Sequence, residues 1–172
     1  MPQPLHLMAV KPMIAMLNVM PLWLDRTADR EAELMQARLA PDMHPLPFQI
    51  QTASDTAKGV VARLTGTDAP AMPDTETTFA ELKARCAKTV AYLESCDPAA
   101  VDAGAEKEIV ITFPNGAGVR FDGTTYVTGF AMPNFYFHVT TAYAILRNAG
   151  GELGKRDYLA ALAPYMFGPP SS

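Results

Sequence analysis

Four segments of this chain place apolar residues at three- and four-residue steps, and one short stretch breaks that period. In the first, from about Leu7 to Arg30, Val10, Ile14, Leu17, Met20 and Leu24 fall on one stripe. The second opens near Pro45 or Pro47 and carries Ile50, Ala53, Ala57, Val60, Val61 and Leu64. Proline is tolerated in a first helical turn, and Gly66 supplies a C-terminal cap. The third runs through Phe79, Leu82, Cys86, Val90 and Leu93. Thr78 and Glu81 mark its start at capping-box spacing, with Thr75 as an alternative cap. The fourth, about Thr124 to Asn148, is apolar almost all round, which predicts the most buried helix. Helices of this kind bury their stripes against one another, so the chain is expected to be mainly α, a four-helix bundle.

Prolines and one change of period modify that outline. Pro12 and Pro21 lie in the first segment and Pro133 in the fourth. An interior proline loses a hydrogen bond and crowds the preceding turn. The first helix is therefore expected to start late at Pro12 or kink at Pro21, and the fourth to be interrupted at Pro133. After Asp97-Pro98, β-branched residues 108–113 and the stretch 119–121 flank Pro114-Asn115-Gly116. That pattern predicts a β-hairpin over about 107–122, inserted before the last long helix. A lone hairpin is marginally stable in water, so it must pack on the helices. Residues 151–172 read as a tail with one short helical stretch from Asp157 and a frayed end, Pro169-Pro170-Ser171-Ser172. With no repeat and no second core, residues 1–172 read as one domain.

Composition narrows the function classes. Against 14 Lys+Arg stand 18 Asp+Glu, a formal net charge of -4, and the pI is about 5.3, which argues against a nucleic-acid surface. No uninterrupted apolar run reaches the length of a membrane span. The first seventeen residues lack the charged start and small-residue cleavage site of a secretion signal, and Pro12 interrupts them. Cys86 and Cys96 lie ten residues apart, on or just after one helix. That spacing corresponds to about 15 Å of helical rise, beyond the roughly 7 Å that a disulfide tolerates. The chain accordingly reads as cytoplasmic, with free thiols.

On the fourth helix Asn134 and His138 are at i and i+4 and share a face, which Thr141 continues. Gln51 and Asp55 stand in the same relation on the second helix. An Asp beside a His orients the imidazole and raises its basicity. The sharpest chemical expectation is therefore an Asp55–His138 contact, with Gln51, Asn134, Tyr136 and Thr141 around a small-molecule pocket. The plainer reading makes these buried polar groups satisfied by neighbouring helices or water. Likewise Phe135, Tyr136, Phe137 and Tyr143 line a pocket or build core, and the methionines of the first helix fill core or face a partner. His44 sits at the entrance of the second helix and His6 near the N-terminus, so no three-histidine metal site is readable. A divalent transition metal, if one binds, takes His138 with Asp55. No other cofactor is implied.

Five stretches carry a resemblance: Leu39–Met43, Gln49–Lys58, Asp74–Leu82, Pro133–His138 and Gly154–Leu159. Together they resemble an uncharacterised bacterial domain-of-unknown-function family within the DinB-like four-helix-bundle superfamily, across nearly the whole chain. The resemblance implies an up-down-down-up bundle, often a homodimer. That superfamily includes metal-dependent thiol-linked enzymes, among them mycothiol-dependent maleylpyruvate isomerases and bacillithiol transferases. Those enzymes use one histidine on the second helix and a His-x3-His pair on the last. Carried onto this sequence, the pair falls on Asn134 and His138, and the second-helix position near Gln51, with Asp55 one turn on. One histidine of three remains. Two functions follow: a bundle with a degenerate polar pocket and no defined activity, or a transferase or isomerase with His138 as base or metal ligand.

Overall fold

A computed structural model describes residues 4–168. Helix α1 spans His6–Arg26, α2 Leu46–Thr65 and α3 Phe79–Glu94. Helix α4 joins Gly123–Tyr126, a π turn Val127–Ala131 and Met132–Asn148 into one rod. The expected caps form. Gly66 ends α2 at φ 78°, a left-handed value that favours glycine, and Thr78 and Glu81 close a reciprocal capping box on α3. A six-residue helix that the periodicity did not announce, Pro98–Ala103, is capped by the side chain of Asp97. The tail helix starts at Lys155 rather than Asp157, and the end at 169–172 lies outside the described residues.

Cross-helix pairs fix the directions. Gln49 with His138, Thr56 with Asn134, and Arg63 with Tyr126 run in opposite senses along α2 and α4. Lys83 near the start of α3 reaches Asp25 at the end of α1. Helices α2 and α3 descend side by side, joined by the long segment 67–78, which gives the up-down-down-up bundle. Its core holds Trp23, Tyr126, Phe135, Leu17, Ile50 and Leu82, each almost fully enclosed. The most buried helix is α2, not α4. Twelve of its twenty residues are buried, against seven of the seventeen over Met132–Asn148, where Phe137 is exposed and Tyr136 and Tyr143 are half-buried. In α1, Met13, Met16 and Met20 are core, and Met8 is exposed. By length and mean hydropathy (1.5) α1 is long and apolar enough to cross a membrane, a property it shares with core helices. Half of that apolar stretch is buried in the bundle.

Neither Pro12 nor Pro133 breaks its helix. Each follows a π turn, His6–Val10 in α1 and Val127–Ala131 in α4. The turns are closed by Lys11 N–H to His6 O and Met132 N–H to Val127 O. A π turn inserts one residue into the hydrogen-bond ladder, and each proline then sits at the opening of the α-helical stretch that follows, where a missing N–H costs least. The insertion also keeps the face in phase. Gly123, Val127, Ala131, Phe135 and Val139 are all buried at four-residue steps, a spacing that drifts about 40° per step in a regular helix.

The hairpin pairs β1 (Glu108–Thr112) with β2 (Gly118–Asp122), Ile109 opposite Phe121. Its loop is longer than a two-residue turn: Gly116 N–H donates to Phe113 O, and Phe113 N–H to Ala117 O. Ile109 is buried against the bundle. At its base a Cβ on Gly123 would meet Leu64 Cδ2 at 2.8 Å and the backbone of Gly104, so only glycine fits. The tail is pinned to α1, where Trp23 stacks on Tyr158 and donates from Nε1 to Asp157 O at 3.0 Å.

Candidate functional site

Helix α2 has two polar sides, and they serve different neighbours. Toward α4 it presents Gln49 and Thr56. Gln49 Oε1 lies 2.8 Å from His138 Nδ1, and Asn134 Nδ2 donates to Thr56 Oγ1 at 2.8 Å. Toward α3 and segment 67–78 it presents Gln51, Ser54, Asp55 and Lys58. Gln51 Nε2 donates to Glu76 at 2.9 Å, and Asp55 accepts from Arg85 at 2.7 Å. Positions 49 and 51 are separated by about 200° around a helix. The expected Asp55–His138 contact is therefore not made. Gln49, which the sequence reading passed over, occupies the place given to Gln51 and Asp55.

The network around His138 sets its chemistry. Gln49 Nε2 donates to His44 O at 2.9 Å, so its Oε1 faces the imidazole as acceptor. His138 Nδ1 then carries the proton, and in the neutral ring Nε2 keeps its lone pair. Burial, and then the nearby His44, push the His138 pKa below the ordinary histidine value, which leaves the ring neutral at pH 7. Among the described residues no side chain hydrogen-bonds Nε2. The edge of His138 meets Phe137 at 5.1 Å between centroids, and Phe48 stands 6.0 Å away with His44 stacked on it. Thr141 is buried one turn along, and Tyr136 is half-buried against Phe135, its phenol pKa raised by burial.

The second polar centre is built on Arg85, whose side chain is 1% exposed. Its Nη2 reaches Asp55 at 2.7 Å and Asp74 at 2.9 Å, and Nη1 reaches Glu76 at 2.9 Å and Pro73 O at 3.3 Å. Buried Lys58 adds bonds to Asp55 at 2.9 Å and Pro70 O at 3.1 Å. Burial alone would raise the Glu76 pKa, yet hydrogen bonds from Arg85 and Gln51 hold it below the usual carboxylate value. This cluster ties segment 67–78 to α2 and α3. Gln51 and Asp55 thus belong with Arg85, while Asn134 and His138 belong with Gln49 and Thr56.

A family profile described as "Domain of unknown function (DUF1993)" matches residues 5–159. The chain belongs to the DUF1993 family. It is similar to a crystal structure described as a DinB family member protein from Shewanella denitrificans, with 41% sequence identity. The TM-score is 0.79, over 90% of this chain and 91% of that one. No curated protein matches the chain. The DUF1993 chain is thus a DinB-like helical bundle.

The superfamily's metal triad can be tested on the side chains in place. Where it needs three imidazoles, this DUF1993 chain offers His138, the amide of Asn134 and the amide of Gln49. Gln49 Oε1 is already engaged by His138. Among the described residues no group of three His, Cys, Asp or Glu side chains is arranged to hold a metal ion. One imidazole with two amides does not fit a catalytic transition metal. Both residues that sequence reading missed were signalled by position. Gln49 lies one turn before Ala53 and two before Ala57 on the core stripe, and Arg85 lies beside Cys86 on the buried stripe of α3. Strongly polar side chains on such stripes mark buried networks.

Proposed function

We propose that this DUF1993 chain is a one-domain, homodimeric DinB-like protein of the cytoplasm. In this reading its inherited site is a degenerate polar pocket that binds a small organic molecule without a metal. The observation that supports it is the Gln49–His138 pair, which turns the one remaining histidine into a neutral ring with Nε2 free to accept. Asn134 and Thr141 stand on the His138 side of the same helix to position a ligand, while Tyr136, about 200° around from His138, packs on Phe135 instead. The partners are that ligand and a second copy, not nucleic acid or membrane. Metal analysis of untagged protein, purified without added metal, tests the reading. Substoichiometric zinc, nickel and iron, unchanged in His138→Ala, is expected. Near-stoichiometric metal that disappears in His138→Ala would overturn it. Sedimentation at micromolar concentration is expected to give a dimer, and a clean monomer contradicts that part.

The tautomer of His138 favours a second reading, a transferase or isomerase in which Nε2 is the general base. Its pH–rate profile would rise through the lowered His138 pKa. An activity retained in His138→Gln would remove it.

A further inference from the structure

Among the described residues two buried side-chain polar atoms have no hydrogen-bond partner, Arg85 Nε and Tyr92 Oη. Both belong to side chains that line the same cleft, which lies between α3 and segment 70–76 and measures about 580 Å³. That volume suits a small organic ligand. Buried donors are normally paired, so two orphans in one cleft call for a common partner. Arg85 is 2% exposed, and its four other donor contacts are taken by Asp55, Asp74, Glu76 and Pro73 O, which leaves Nε–H alone. The walls are apolar and small. Ala84 and Ala91 are exposed on the cleft-facing side of α3, opposite Met72 and Pro73.

Charge decides the ligand class. Around the cleft floor Arg85 and Lys58 face three carboxylates, Asp55, Asp74 and Glu76. Lys88 and Glu81, which also line the cleft, offset each other and leave the group with one net negative charge. An anion finds no net positive field there, whereas a neutral acceptor oxygen needs none. Arg85 and Tyr92 are two helical turns apart, about 10 Å of rise, so a ligand that reaches both is elongated. We propose that this cleft binds a neutral, apolar-bodied small molecule with carbonyl-type oxygens near both ends, which accept from Arg85 Nε–H and Tyr92 O–H as the lining side chains shift to uncover these two buried donors.

The test uses two probes of like shape and different charge: neutral N,N′-diacetyl-para-phenylenediamine and anionic terephthalate, followed by saturation-transfer NMR on the whole protein. The neutral probe is expected to bind with a Kd of about a millimolar or below, and terephthalate at least about ten-fold more weakly. Tyr92→Phe removes an unpartnered buried hydroxyl, so it should hold or raise the unfolding midpoint and weaken the neutral probe about five-fold. Ala91→Trp and Ala84→Leu, both at exposed positions, should block binding by filling the groove. The proposal is overturned if the neutral probe does not bind, if terephthalate binds equally well, or if folded Tyr92→Phe and Ala84→Leu proteins bind it unchanged.

Discussion

Oε1 of Gln49 lies 2.8 Å from Nδ1 of His138, and the same amide donates to the backbone oxygen of His44. Replacing the amide with a carboxylate puts an anion where a neutral acceptor stood. Gln49→Glu is expected to raise the His138 pKa by about 1–3 units, read from its ring-proton shifts in an NMR titration. Gln49→Leu instead strands a buried N–H and should cost about 1–3 kcal/mol in stability. A His138 titration indifferent to Gln49→Glu would refute the contact.

Stability should fall as the solution is acidified below neutrality. His138 has a folded pKa below its unfolded value of 6.5, through burial and then His44. Between those values the unfolded chain binds more protons, so the stabilisation present above pH 6.5 declines as pH drops and then levels off. Glu76 acts in the same direction lower down, because its folded pKa is below 4.5. Urea unfolding at a series of pH values checks both. His138→Gln should flatten the slope near pH 6 and leave the steeper acid limb intact.

Arg85 anchors segment 67–78, so its loss should be felt far from α3. Arg85→Met leaves Glu76 partly buried with only Gln51 as side-chain partner. Breaking a buried ion pair costs about 3–5 kcal/mol. Asp55 and Asp74 are about half exposed and can turn to water, so about 2–3 kcal/mol is expected here. Limited proteolysis should cut within 67–77 sooner than in the parent. Unchanged cleavage there would show that the loop is held by other means.

The two thiols should differ in reactivity. Burial pushes the Cys86 thiol up to about 12, whereas Cys96 is only half-buried and donates from Sγ to Leu93 O at 2.8 Å. Thiolate is the reactive form. Maleimide at neutral pH should modify Cys96 slowly and Cys86 only after unfolding. Mass spectrometry of the folded protein would contradict this by finding Cys86 labelled first.

What the residues disclosed followed the strength of each local signal. The stripe from Ile50 to Leu64, the Gly66 cap and the Thr78–Glu81 box are short-range patterns whose physics lies within a few residues, and they appear where the periodicity puts them. The hairpin about Asn115-Gly116 is of the same kind. The site was less legible because it depends on helix rotation. Gln51 and Asp55 share a face, but that face turns to Arg85, and no local rule says which side of α2 meets α4. Pro12 and Pro133 misled for a related reason. Their rule assumes a regular ladder, and only the run of four-residue steps from Gly123 to Val139 hints that an extra residue has been fitted in.

That extra residue makes each of the two helices sensitive to length in a particular way. Remove one residue from Val127–Ala131 and the rod can close into an unbroken α-helix, every ladder bond made except at Pro133. Because the wide turn had absorbed that residue, the stretches on either side keep their rotation relative to each other. A deletion between Met132 and Phe137 is different, because there it turns everything before it by about 100° relative to His138. Tyr126 would then swing off the core, and Gly123 would leave its seat against Gly104 and Leu64, carrying the hairpin with it. Loss of one residue is open to the π turn in a way that it is not to the regular helix after it. Relatives that keep the bundle and its hairpin should differ in length along this rod, if at all, by that single residue.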